Sequence, residues 1–160
     1  MFVMNRKLEG IGYKTYTRLY ESRIDPVAFY ASSVWGVKNF KYQDTVQNKA
    51  IRLFLGVSKY TTNSAIQGDM GWPSVSNKIK LTILRFWNRL VKMSNTRITK
   101  KIFLHDKTNA HKKCTWSSQV LKILRDLYGA EAQLDHFLGG IDLIEAKTLL
   151  STKDQENWEK

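Results

Sequence analysis

Only one cysteine, Cys114, occurs among the 160 residues, so no disulfide can form within the chain. No Asn-x-Ser/Thr sequon is present either, and both absences fit a reducing, intracellular setting, nucleus or cytoplasm. Long apolar runs are missing as well. The longest stretch without a charge, Pro26 to Val37, falls short of the roughly 20 residues that cross a bilayer. Arg6, Lys7 and Glu9 interrupt the opening apolar residues, which therefore do not read as a signal peptide. The expectation is a chain without a membrane partner. No two acidic residues are adjacent, which leaves no paired carboxylates of the kind that hold two catalytic metal ions. His105, His111 and Cys114 form the best metal-like cluster, but a structural zinc site wants four ligands and no second cysteine exists. Cys114 has no recognisable base or orienting acid, and the Gly10-Ile11-Gly12 and Gly68-x-x-Gly71 pairs lack the rest of a phosphate loop. No cofactor is expected.

What the chain does have is positive charge and bulk. Lys and Arg number 26 against 14 Asp and Glu, while aromatics reach 12% and tryptophans five. Disordered chains lack such bulk, and this length can bury a core. The charge is uneven: residues 1–113 carry a net +15 and residues 114–160 a net −3. A field of that sign attracts polyanions, of which nucleic acid is the commonest in a cell.

Helical periodicity dominates, and no alternating run of strand length appears. The expected class is all-α, an irregular helical bundle with a small C-terminal extension. Tyr13–Arg23 has helical spacing. Pro26 and Pro73 both read as helix starts, since proline at the first position sacrifices no hydrogen bond. Val27 to Trp35 is apolar on most sides, which predicts a central buried helix ending near Gly36. A third helix is expected over Tyr42–Leu55, with Tyr42, Val46, Ala50, Leu53 and Phe54 inward and Lys49 and Arg52 opposite. A short turn of helix is expected at Thr62–Gln67. The strongest pattern runs from Pro73 to Met93. With Lys78 at zero, Arg85 falls at about −20°, Arg89 at about +20° and Lys92 at about −40°, and Phe86 and Trp87 lie on the apolar arc. One more helix, Thr96 to about Lys107, adds Arg97, Lys100, Lys101 and Lys107, and two others are expected over Ser117–Tyr128 and Ile141–Leu150. The polar stretch 108–115 reads as a linker between 1–107 and 116–160, and residues Ser151 to Lys160 as a frayed tail in which Trp158 hints at a partner.

Several blocks also resemble a known family. Ile24 to Gly36, a proline-led helix ending in Trp-Gly, is followed by Gln47-Asn48-Lys49-Ala50-Ile51-Arg52, then by Gly68-Asp69-Met70-Gly71-Trp72-Pro73, Arg85-Phe86-Trp87-Asn88-Arg89-Leu90, and the helix Trp116 to Leu127. In order and spacing, over about residues 8–128, these resemble the region downstream of the polymerase palm in reverse transcriptases of non-LTR retrotransposons. The resemblance implies an α-helical thumb that grips a template–primer duplex, with Lys49, Arg52, Arg85 and Arg89 facing nucleic acid. It implies RNA or an RNA–DNA duplex as partner, along with the fingers and palm. The Tyr-x-Asp-Asp turn that carries the metal ligands of that polymerase does not occur in these 160 residues, so no polymerase activity is expected of them. The candidate nucleic-acid contacts are Lys49, Arg52, Lys78, Arg85, Arg89, Lys92, Lys100 and Lys101. A thumb without its palm would expose a packing surface, so self-association is also expected. The alternative readings are a helical interaction domain with an incidental basic face, and a retroelement relic with no selected function.

Overall fold

The structure, a computed structural model, describes residues 10–35, 41–112 and 115–158. It is all-α, and no strand occurs among the described residues. Among the described residues nine α-helices follow in order: α1 (Tyr13–Arg23), α2 (Asp25–Ala28), α3 (Ser32–Trp35), α4 (Lys41–Leu55), α5 (Asn63–Met70), α6 (Val75–Val91), α7 (Ile98–Thr108), α8 (Trp116–Tyr128) and α9 (Leu143–Trp158). A 3-10 turn at Leu134–Phe137 links the last two.

The long helix α6 is the organising element. Ser74 caps it, its hydroxyl accepting from Asn77 N at 3.2 Å, which satisfies one of the orphan donors of the first turn. Val75, Ile79, Ile83, Trp87 and Leu90 line its buried face. Around them gather Phe103 of α7, Val120 and Leu124 of α8, Leu134, and Ala146 of α9. Residues on both sides of the 108–115 stretch therefore share this core. A second, smaller cluster joins Tyr20 of α1, Ile51 of α4, and Ile66, Met70 and Trp72 around α5.

Two expectations are corrected. The buried helix expected over Val27 to Trp35 is instead two short turns, α2 and α3, separated by Ala31 in the left-handed region at φ 53°. That break costs an alanine about 1–2 kcal/mol. It turns Phe29 and Ser32 inward while Val27 and Tyr30 stand 78% and 80% exposed. Gly36, the expected end of that helix, lies outside the described residues. The α4 helix forms as expected, but its buried face is rotated by roughly a third of a turn at 100° per residue. Gln47, Asn48 and Ile51 face inward, and Tyr42 is 87% exposed. Periodicity misses this because polar residues take core positions there, each with a hydrogen-bonding partner.

Residues 151–158, expected as part of a frayed tail, are helical. Helix α9 runs to Trp158, whose Cβ packs beside Gly68 of α5. Asp154, buried on α9, accepts from Ser74 N at 3.0 Å, placing a carboxylate at the positive end of α6. One turn earlier, Leu150 O accepts from Asn77 Nδ2 at 2.9 Å. Trp158 is thus packed against the fold on one side and partly exposed on the other.

Candidate nucleic-acid interface

On the outer side of α6, Arg85 and Arg89 are exposed one helical turn apart, and Lys92 follows, exposed, at the helix C-cap. Neither ion pair found among the described residues involves any of the three. At 1.5 Å per residue they span about 10 Å along the helix axis, enough for successive phosphates of one strand. The fourth residue of the expected stripe, Lys78, is differently placed. Its Nζ lies 3.1 Å from Asp25 Oδ2 and within 5.2–5.7 Å of the ring centres of Tyr20, Phe29 and Trp72. A carboxylate and three aromatic rings satisfy that ammonium, and through it α2 is fastened over the first half of α6.

The other four candidates divide in the same way. Arg52 spends its guanidinium on the chain, Nη2 donating to Thr61 O at 2.9 Å and to Asn63 Oδ1 at 2.6 Å. Lys100 is buried, and its Nζ donates to Leu90 O and Val91 O at 2.9 and 2.8 Å. Both carbonyls belong to the last turn of α6, where Met93 N also donates to Leu90 O at 3.2 Å, so the lysine caps the helix and complements its negative pole. By pinning the start of α7 to the end of α6, Lys100 also fixes the corner around which Lys92, Arg97 and Lys101 are exposed. Arg97 and Lys101 are one turn apart, since Lys101 N donates to Arg97 O at 3.2 Å. Arg97, which the helix expected from Thr96 includes but the candidate contacts do not, stands at the N-cap of α7. Lys49 is exposed too, but it borders a groove against α1 that contains no residue of α6.

The residues that carry the family resemblance prove to be mostly internal fasteners. Gln47 Nε2 donates to Pro73 O at 3.0 Å, Asn48 Oδ1 accepts from Gln67 Nε2 at 2.9 Å, and Ala50 O accepts from Tyr16 Oη at 2.8 Å. Met70 O accepts from Tyr13 Oη at 3.0 Å, and Trp72 Nε1 donates to Thr17 Oγ1 at 3.2 Å. Gly71 provides the left-handed turn, at φ 63°, that ends α5 and points Trp72 into the second core. In the α6 block, Trp87 Nε1 donates to Phe137 O at 3.2 Å. Asn88 takes both polar groups of Ile141, donating to its carbonyl at 2.8 Å and accepting from its N–H at 2.7 Å. A Cβ on Gly140, at φ 108°, would stand 3.5 Å from Asn88 Oδ1. Among the polar residues of that block, this leaves Arg85 and Arg89 without a partner among the described residues.

No family model, no curated protein and no solved structure matches the chain.

The aromatics on α6 belong to the core. Trp87 is fully buried and stands edge-on to Phe103, with ring centres 5.0 Å apart, and Phe86 meets Trp116 edge-on at 5.7 Å. Trp87 therefore offers no free face on which a base could stack. Among the described residues, no group of three His, Cys, Asp or Glu side chains could hold a metal ion, and Cys114 lies outside them. The chemistry of this face is therefore that of fixed positive charge on a rigid helix.

Proposed function

We propose that the chain is a non-catalytic nucleic-acid-binding domain, a thumb-like portion of a non-LTR retrotransposon reverse transcriptase, that grips RNA or an RNA–DNA duplex through its phosphates. The observation that carries the reading is the set Arg85, Arg89 and Lys92, exposed and unpaired among the described residues on one side of α6. Arg97 and Lys101 continue the positive surface around the α6–α7 corner. Two forked guanidinium groups one turn apart suit phosphate oxygens. Backbone contact of this kind positions a duplex and reads no sequence, so the expected binding is sequence-tolerant and strongly salt-dependent. Three phosphate contacts give a log–log slope against salt of about −3 for a duplex. The test is titration of an RNA–DNA duplex at several salt concentrations. A slope near zero refutes the reading, and Arg85→Glu with Arg89→Glu is expected to flatten it to about −1.

A second reading, a helical interaction domain, has one observation in its favour. Val27 on α2, Tyr30 in the turn that follows and Val34 on α3 are all exposed. Apolar groups presented in one segment favour association, including with a second copy. Concentration-dependent sedimentation tests it: a monomer at every concentration removes self-association.

A further inference from the structure

A groove of about 390 Å³ runs between α1 and α4, within the size range of ligand clefts. Its floor is apolar, built from Leu19, Tyr20, Ile24, Ala50 and Leu53, and its two charged lining residues, Arg23 and Lys49, are both exposed cations. Among the described residues, no carboxylate lines it. Leu19 and Ile24 stand partly exposed, so the groove opens to solvent along its length. We infer that this groove docks an amphipathic helix of a partner protein whose apolar stripe is flanked by Asp or Glu.

The chemistry of the lining selects the occupant. A channel between two helices with an apolar floor accepts side chains spaced at i, i+3, i+4 and i+7 from a third helix. Arg23, at the last turn of α1, and Lys49, midway along α4, then meet acidic groups on the flanks of that stripe. A nucleic acid is the poorer match: the floor gives phosphates nothing, and two cations make few contacts. Its tyrosines are not stacking platforms either. Tyr16 stacks on Phe54, with centres 4.7 Å apart, and Tyr20 packs against Trp72 at 4.4 Å. Neither is a second copy of the chain the natural occupant, because a twofold interface places the same patch against itself and opposes cation with cation. The groove and the α6 arginines share no residue, so this inference stands apart from the nucleic-acid reading.

The test uses the full chain and a labelled synthetic amphipathic helix of about 18 residues, roughly five turns, with leucines on one face and glutamates on the other. Its counterparts are the same composition scrambled and the same stripe with lysines in place of glutamates. Fluorescence anisotropy is expected to show binding of the glutamate helix alone. Arg23→Glu with Lys49→Glu should weaken it by about tenfold or more and create binding of the lysine helix, a gain that a misfolded variant could not give. Leu19→Glu should remove binding of the glutamate helix, whereas Arg85→Glu with Arg89→Glu should leave it bound. Equal binding of the scrambled peptide, unchanged affinity in the Arg23 and Lys49 double variant, or displacement of the peptide by an RNA duplex would overturn the inference.

Discussion

Lys78 is closed off by Asp25: Nζ and Oδ2 are 3.1 Å apart, with about a fifth of each side chain exposed. The sequence puts Lys78 in line with Arg85, Arg89 and Lys92, and the tertiary structure withdraws it. Lys78→Met is therefore expected to leave both the affinity for an RNA–DNA duplex and its salt slope unchanged, while the Arg85 and Arg89 double reversal lowers both. The same variant should cost about 1 kcal/mol of stability, since the pair keeps some solvent contact and Asp25 is left without its partner. Parallel binding and urea titrations separate the two effects. Loss of duplex affinity in a folded Lys78→Met protein would restore the four-residue stripe.

Asn88 is expected to matter for folding and not for binding. Its two hydrogen bonds to Ile141 hold the turn before α9 against α6. Asn88→Ala removes both and leaves a backbone N–H and C=O to find other partners, at a cost of about 2–3 kcal/mol. A urea midpoint that does not move would show that water replaces the side chain without loss.

Lys100→Met tests the cap at the end of α6. The substitution keeps most of the buried volume but withdraws the charge from Leu90 O and Val91 O. A loss of about 2 kcal/mol is expected. Faster amide exchange should be confined to the α6–α7 corner. Uniformly faster exchange through the protein would mean that the lysine supports the whole core and not one corner.

Tyr20 predicts an alkaline limit. Burial, then the charge of Asp25, then Tyr16, push its hydroxyl well above the ordinary tyrosine value of 10.0. Its hydroxyl is buried with no hydrogen-bonding partner among the described residues. The unfolded chain releases this proton near its ordinary value while the folded chain retains it. Above pH 10 the unfolded state therefore binds fewer protons, and stability falls as pH rises. Below that pH the effect vanishes. Tyr20→Phe should be nearly neutral at pH 7, because no hydrogen bond is lost, and should lessen the decline above pH 10. Tyr16 and Tyr128 are raised by burial too and will keep part of it. Identical pH profiles for the two proteins would show that the phenol is not the titrating group.

The legible parts of this fold are those in which apolar spacing and burial coincide. Helix α6 announces itself through Val75, Ile79, Ile83, Trp87 and Leu90, although Pro73, read as its start, precedes the Ser74 cap and the helix begins at Val75. The polar stretch around residue 110 reads as a linker, yet Leu84 and Leu124 on either side of it share one core. Where polar side chains occupy the interior the pattern misleads. Gln47 and Asn48 are buried with one hydrogen bond each, Gln47 Nε2 to Pro73 O and Asn48 Oδ1 from Gln67 Nε2, and nothing in α4 alone reveals those partners.

The sequence by itself determined that the chain is helical, strongly basic in its first two-thirds, and equipped with cations at helical spacing on α6. Those properties follow from local periodicity and composition, which need no knowledge of distant residues. Only the tertiary structure decided which cations remain free. Arg52, Lys78 and Lys100 resemble Arg85 and Arg89 in one dimension. In three dimensions they are taken up by Thr61 and Asn63, by Asp25, and by the last carbonyls of α6. A charge is free for a ligand only when no acceptor within the fold already satisfies it, and acceptors are brought up by packing.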